Sequence, residues 1–202
     1  MLQKGYNWRM ANSETGLPEQ IIETAKNLFI QKGYYGLSMR EISDALGVSK
    51  AALYYYFKDK EELFLAILRQ YLNEMDAGLE DIMRRPLSRR EQIQLFIETI
   101  LTQPTEQRAT IRLSMQEISH LSPEARREFN TLYREKFIGK LQSMLQAGMQ
   151  NGEFRQMPAE VAVWALLGIM FPYFYPAHGG EVPLPAETIG EVARIYLTGI
   201  CN

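Results

Sequence analysis

The 202-residue sequence predicts an all-α protein. Three observations carry that expectation. Apolar residues recur at spacings of three and four through most of the chain. Helix starts are marked by Ser or Asp with Glu three residues on, or by proline. Neither strand alternation nor an internal repeat occurs. About nine helices are expected, in two domains. A flexible arm (1–17) precedes a three-helix N-terminal domain (18–63), and a larger helical bundle (64–202) follows, with the boundary inside the fourth helix.

The arm mixes Gly5, Asn12, Ser13 and Gly16 without periodicity, and a frayed terminus describes its Lys4 and Arg9 better than a DNA contact does. The first helix, 18–32, presents Ile21, Ile22, Ala25, Leu28 and Phe29 to the core and stops at Gly33. Ser38 and Glu41 form a capping box for the second helix, whose apolar edge is Ile42, Ala45 and Leu46 and whose end is Gly47. Ser49 caps a third, short helix with Leu53 and Phe57 inward.

Two short helices joined by a glycine-containing turn make a helix-turn-helix, although an ordinary helical hairpin has the same spacing. The run that follows favours the first. Tyr54, Tyr55, Tyr56, Lys58 and Lys60 crowd more hydroxyl and ammonium groups together than a packed helix end needs. Three consecutive helical positions span about 200°, so at least one of the tyrosines is expected to pack.

Asp59 and Glu62 cap a fourth helix running past Leu63, Ile67 and Tyr71 toward Met83. After Arg84-Arg85-Pro86, Ser88 starts a helix carrying Ile93, Phe96, Ile97 and Ile100, closed by Gln103-Pro104. Arginines 84, 85, 89 and 90 read as solvated charge around this break. The next helix, 105–119, turns Ile111, Met115 and Ile118 inward. Ser122-Pro123-Glu124 opens a long helix through Phe129, Leu132, Tyr133, Phe137, Leu141, Met144 and Leu145 to Gln150, ended by Asn151-Gly152. Pro158 opens a very apolar helix, 159–174. A loop with His178-Gly179-Gly180 precedes the last, 186–198.

With 46% apolar and 23% charged residues, the chain can bury a substantial core and is not of disordered composition. The longest apolar stretch, Val161 to Tyr175, is too short and too interrupted by Gly168 and Pro172 to span a membrane. No secretory signal is visible, and the single cysteine, Cys201, fits a reducing cytoplasm. His120 and His178 lack metal-ligand spacing, and no GxGxxG, P-loop or GxSxG occurs, so neither metal, cofactor nor enzymatic activity is expected. The net charge of −2 sets a limit on nucleic-acid binding. Between Pro18 and Leu63 six basic residues (Lys26, Lys32, Arg40, Lys50, Lys58, Lys60) face seven acidic ones. Screening confines their fields to about 8–10 Å, so what matters is that Lys50, Lys58 and Lys60 cluster with the tyrosines.

Residues 21–65, with Ala25-x-x-Leu28-Phe29, Gly33-Tyr34, Ile42, Leu46-Gly47-Val48-Ser49, Leu53-Tyr54-Tyr55-Tyr56-Phe57 and Lys60-Glu61-Glu62-Leu63, resemble the DNA-binding domain of TetR-family transcriptional regulators. Ser43 stands where alanine is usual and Ala51 where glycine is often found, which leaves base preference open. The resemblance implies a homodimer reading a palindromic operator. Lys50 and Ala51 would then meet base edges, with Ser38, Tyr54, Tyr55, Tyr56 and Lys60 on phosphates. It further implies that 159–174 and 186–198 pair with their symmetry mates, with Val161, Trp164, Ala165, Gly168 and Ile169 in the interface. A small-molecule effector pocket would be lined by Phe96, Met115, Tyr133, Phe137, Met144 and Trp164, and ten methionines suit an apolar ligand. Its binding would shift the population between states of high and low operator affinity. The reading is a repressor released by effector. The alternatives are an activator, an effector-independent regulator, or a helical protein-interaction module.

Overall fold

The computed structural model describes residues 16–201, so the arm's Lys4 and Arg9 lie outside the described residues. Ten α-helical segments follow in order: α1 (Leu17–Lys32), α2 (Met39–Leu46), α3 (Lys50–Tyr56), α4 (Lys60–Arg84), α5 (Arg89–Leu101), α6 (Thr105–Glu117), α7 (Pro123–Tyr133), α8 (Gly139–Gln150), α9 (Ala159–Met170) and α10 (Ala186–Ile200). A π-helical turn, Arg134–Ile138, joins α7 to α8 without a break. Counted as one rod, these make nine helices among the described residues. Among the described residues the only β pairing is a bridge between Phe154 and Cys201.

The chain divides into two compact units, one running to Tyr71 and including Leu113–Phe129, the other comprising Leu72–Arg112 and everything from Asn130. The division falls inside α4. The first unit also takes in the end of α6 and the start of α7, a membership with no local sequence signal.

In the first unit an aromatic cluster fixes α1 against α4. Phe29 and Phe64 are fully buried and meet edge to face at 5.0 Å between centroids. Tyr34 stacks on Phe29 at 5.9 Å and meets Phe64 at 5.4 Å. Burying each phenylalanine contributes about 1.5–3 kcal/mol, and each ring pair about 0.5–1.5 more. On α1, Ile21, Ala25 and Phe29 form the buried face, while Ile22 and Leu28 are half-buried. On α2 the buried residues are Met39, Ile42 and Ser43. Ala45, expected on the apolar edge, is exposed. Ser43 can replace it inside because its Oγ donates to the Arg40 carbonyl at 2.8 Å, leaving no orphan hydroxyl.

The second unit packs α5 against α8 and α10, and α9 against α8 and α10. Tyr196 Oη donates to the Ala162 carbonyl at 2.9 Å, tying α10 to α9, and burial pushes its phenol far above the ordinary range. Lys140 pairs with Asp76 and, at 2.8 Å, with Glu80, fastening α8 to the later half of α4.

Several boundaries and faces differ from expectation. The helix expected over 105–119 ends at Glu117 and tightens into a 3-10 turn, Ile118–His120. Met115 is 39% exposed, not inward, because α6 buries a mostly polar face, Arg108, Ala109, Thr110, Leu113 and Ser114. Hydropathy cannot find such a face. The helix expected over 159–174 ends at Met170 and continues as a 3-10 turn, Phe171–Phe174, where Pro172 removes a donor. The last helix runs on to Ile200.

Candidate nucleic-acid interface

The interface is built by the turn between α2 and α3. Gly47 adopts φ 68° and ψ 24°, the left-handed region. Its N–H donates to the Asp44 carbonyl at 3.2 Å, and Val48 N–H reaches back to Ser43 at 3.1 Å. This closes α2 in a Schellman-type cap and starts the chain toward α3. Ser49 Oγ accepts from Ala52 N–H at 3.1 Å, so α3 begins at Lys50. Leu53 and Phe57 are the buried anchors of α3, and nothing else on it is deeply packed.

Lys50 and Ala51 are both exposed on the first turn of α3. All three tyrosines are exposed as well, Tyr54 at 49%, Tyr55 at 82% and Tyr56 at 39%. The expectation that at least one would pack fails because a helix of 7 residues needs only two anchors. Tyr55 and Tyr56 instead touch each other edge to face at 5.1 Å, which holds both rings at the surface. Of the basic residues in this unit, Lys26, Lys32 and Arg40 are paired with Glu23, Glu41 and Asp44. Lys50 and Lys58 are exposed and place positive charge beside the tyrosines in sequence.

Ser38 and Lys60, expected on phosphates, are already engaged. Ser38 Oγ donates to Glu41 Oε2 at 2.8 Å and accepts from Glu41 N–H at 3.3 Å, while Ser38 N–H donates to the same carboxylate at 2.9 Å. Lys60 Nζ donates to the carbonyls of Tyr34 at 2.6 Å and Leu37 at 2.9 Å, and sits 4.4 Å from the Tyr34 ring centroid. Burial holds its ammonium below the ordinary lysine range, with the Glu41 charge acting the other way. Two of its three N–H groups are spent on closing the α1–α2 turn. Burial, with the nearby Glu61 and Asp59 charges, pushes the Tyr34 phenol up to about 12, so it stays neutral.

A second set of bonds was invisible in the sequence. Glu117 Oε2 accepts from Tyr34 N–H at 3.2 Å, across 83 residues of chain. Glu61 accepts from Ser122 N–H at 2.7 Å and from its Oγ at 2.9 Å. His120 lies edge-on to Tyr35 at 4.5 Å. The corner between α6 and α7 is therefore bonded directly to the α1–α2 turn and to the start of α4.

Glu41 makes this unit acid-sensitive. Hydrogen bonds from Lys32, first, and then Ser38 pull its carboxyl down from 4.5 to about 2. A group depressed in the folded state stabilises above its unfolded pKa, and that contribution is lost as pH falls through the folded value. The melting temperature should therefore fall between about pH 5 and about pH 2. Glu41→Gln should be less stable at the upper end and converge with the parent at the lower. Parallel melting curves across that window would show that Glu41 contributes nothing.

Comparison with known proteins agrees with this geometry. The family described as bacterial regulatory proteins, tetR family, matches residues 21–67, and a tetracyclin repressor-like C-terminal domain matches residues 86–172. The transcriptional repressor KstR2 of Rhodococcus jostii is 26% identical over 93% of this chain and 90% of its own. A probable transcriptional regulator of Bacillus subtilis, YttP, is 30% identical over 81% of this chain and 80% of its own. The structure of AibR in complex with isovaleryl coenzyme A and operator DNA shares the fold at a TM-score of 0.74, with 22% identity, covering 91% of this chain and 97% of that one. Such proteins are DNA-binding transcriptional regulators and not enzymes. The helix-turn-helix at one end, the matched C-terminal domain and a relative alike over four-fifths of its length leave one conclusion: the chain belongs to the tetR family of bacterial regulatory proteins.

Proposed function

We propose that the protein is a homodimeric repressor, acting in the cytoplasm, that reads a palindromic operator through α3 and is released by a small, largely apolar effector. The observation that carries the reading is the outward face of α3. Lys50, Ala51 and three exposed tyrosines stand together on a helix anchored by two residues. Lys50 suits guanine O6 or N7, Ala51 a thymine methyl, and the tyrosine hydroxyls phosphate oxygens. The reading keeps Ser38 and Lys60 near the backbone but gives them the task of shaping the α1–α2 turn.

The dimer reading draws on α9. Val161 (61% exposed), Trp164 (48%), Ala165 and Gly168 form an uncovered apolar stripe, with Ile169 half-buried beside it. Trp164 thereby suits an interface better than a pocket lining. The effector reading draws on the aromatic cluster of the second unit, where Phe96 and Phe137 lie 6.0 Å apart and Tyr133 and Phe137 5.4 Å apart. Burial pushes the Tyr133 phenol up to about 12. Met144 is fully buried on α8, whereas Met115 belongs to the other unit and drops out of the set. The isovaleryl coenzyme A bound by AibR supports an acyl ligand as the class.

Selecting bound sequences from random duplex DNA tests the reading. A palindrome whose half-sites lie about 34 Å apart, or a multiple of that, is the expected result. A single unpaired half-site, or no enrichment, would overturn it.

A further inference from the structure

Arg108, on the first turns of α6, is fully buried, yet among the described residues it meets carbonyls and no carboxylate. Nη1 donates to the carbonyls of Tyr173 at 3.1 Å and Gly179 at 3.2 Å, and Nη2 donates to that of Val182. A guanidinium offers five N–H groups. These bonds occupy three, and Nε is buried with no partner. What remains is Nε–H and one N–H on Nη2, and a guanidinium can grip a carboxylate or phosphate with two parallel bonds from these two nitrogens. Two further buried atoms without partners belong to residues near it in sequence, the Oε1 of Gln107, its neighbour on α6, and that of Gln103, just before the helix. A finished core satisfies such groups. A buried guanidinium with no carboxylate partner, close in sequence to two unpaired amide oxygens, has instead the chemistry of a place that awaits a charged ligand.

We infer that Arg108, with Gln103 and Gln107, forms the subsite for the oxyanion head of an otherwise apolar ligand. The Nε and Nη2 edge of Arg108 takes the oxyanion, and the glutamine side chains take a hydroxyl or amide neighbouring it. The inference rests on reading the second unit as the effector-binding one, and names what that effector must carry. It also ties the ligand to a particular segment: the three carbonyls come from the Gly- and Pro-containing stretch 171–182, to which Arg112 adds a bond to Phe174 at 2.9 Å. An anion on Arg108 would draw on the same guanidinium that holds that segment to α6.

The test is calorimetric titration of the full-length protein, without DNA, with octanoate, palmitate, octanoyl coenzyme A, inorganic phosphate and the neutral methyl esters of the two acids. At least one anion should bind about tenfold more tightly than its neutral counterpart. Arg108→Gln should abolish that preference while still binding the ester, and Arg112→Gln should keep it. Octanoate against octanoyl coenzyme A and phosphate separates a free carboxylate from the phosphates of a carrier. Should Arg108→Gln fail to fold, Arg108→Lys, which keeps the charge but loses the fork, must cut the preference several-fold. Equal binding of acid and ester, no binding of any anion, or a preference untouched by these substitutions overturns the subsite. Operator release is measured separately. Anions that bind through Arg108 but never release DNA refute the effector reading and leave the subsite standing, whereas release by acid and ester alike does the reverse.

Discussion

Trp164→Glu should yield a folded monomer whose operator affinity is about a thousandfold lower than the parent's. In an isologous interface the same face meets itself, so one substitution places two carboxylates in the contact. Each loses a central aromatic anchor and gains a charge to desolvate, together on the order of 4 kcal/mol, or three decades in affinity. The fold should survive, because Trp164 is 48% exposed and the packed side of α9 is Ala162, Val163, Leu166, Leu167 and Met170. Sedimentation at micromolar concentration and operator binding by mobility shift check both halves. A variant that remains dimeric would place the contact elsewhere.

Lys60→Ala should lower the stability of the DNA-reading unit by about 2–3 kcal/mol, since two carbonyls lose a charged donor and the Tyr34 ring loses its cation. Operator and random DNA should weaken by the same factor. The structure separates this from a plain phosphate contact. A lysine lost from a phosphate lowers the slope of log affinity against log salt by about one and leaves the free protein unchanged. A lysine lost from the α1–α2 turn leaves the slope alone and speeds amide exchange in residues 34–38 of the DNA-free protein. The second pattern is expected, and the first would return Lys60 to the phosphate backbone.

The helix-turn-helix was legible because its determinants are local. The Ser38–Glu41 box, the left-handed Gly47 and the Ser49 cap each act within four residues. The two carbonyl bonds of Lys60 were not legible, since their acceptors lie 26 and 23 residues away and a lysine near tyrosines has the same sequence signature with or without them. Nor was Glu117, which reads as one more acid on a polar helix face. The tyrosine arithmetic failed because a span of about 200° bars one common DNA face but not exposure to solvent, and all three rings are exposed. On α6 the assumption was that buried means apolar, and Arg108, Thr110 and Ser114 reverse it. The apolar excess of α9 was readable and pointed to an interface with a second copy, whereas its bond to α10 within the chain, from Tyr196 to the Ala162 carbonyl, had no sequence signal.

The π turn after α7 has a consequence in the arithmetic of the helix. Phe129, Tyr133, Phe137, Leu141 and Leu145 follow one another at intervals of four, a stride that drifts off any single stripe of an α-helix at about 3.6 residues per turn. Gly139 N–H skips back five residues to the Arg134 carbonyl, and that widened turn absorbs one surplus residue. Residues 134–138 thus act as a vernier on the rod. Deleting Glu135 or Lys136 should relax the turn to ordinary α-helix and leave the phase between Tyr133 and Leu141 as it is, whereas one further inserted residue would shift that phase by about 100°. Length here is information: the surplus residue is what lets side chains spaced four apart keep to one side of the rod.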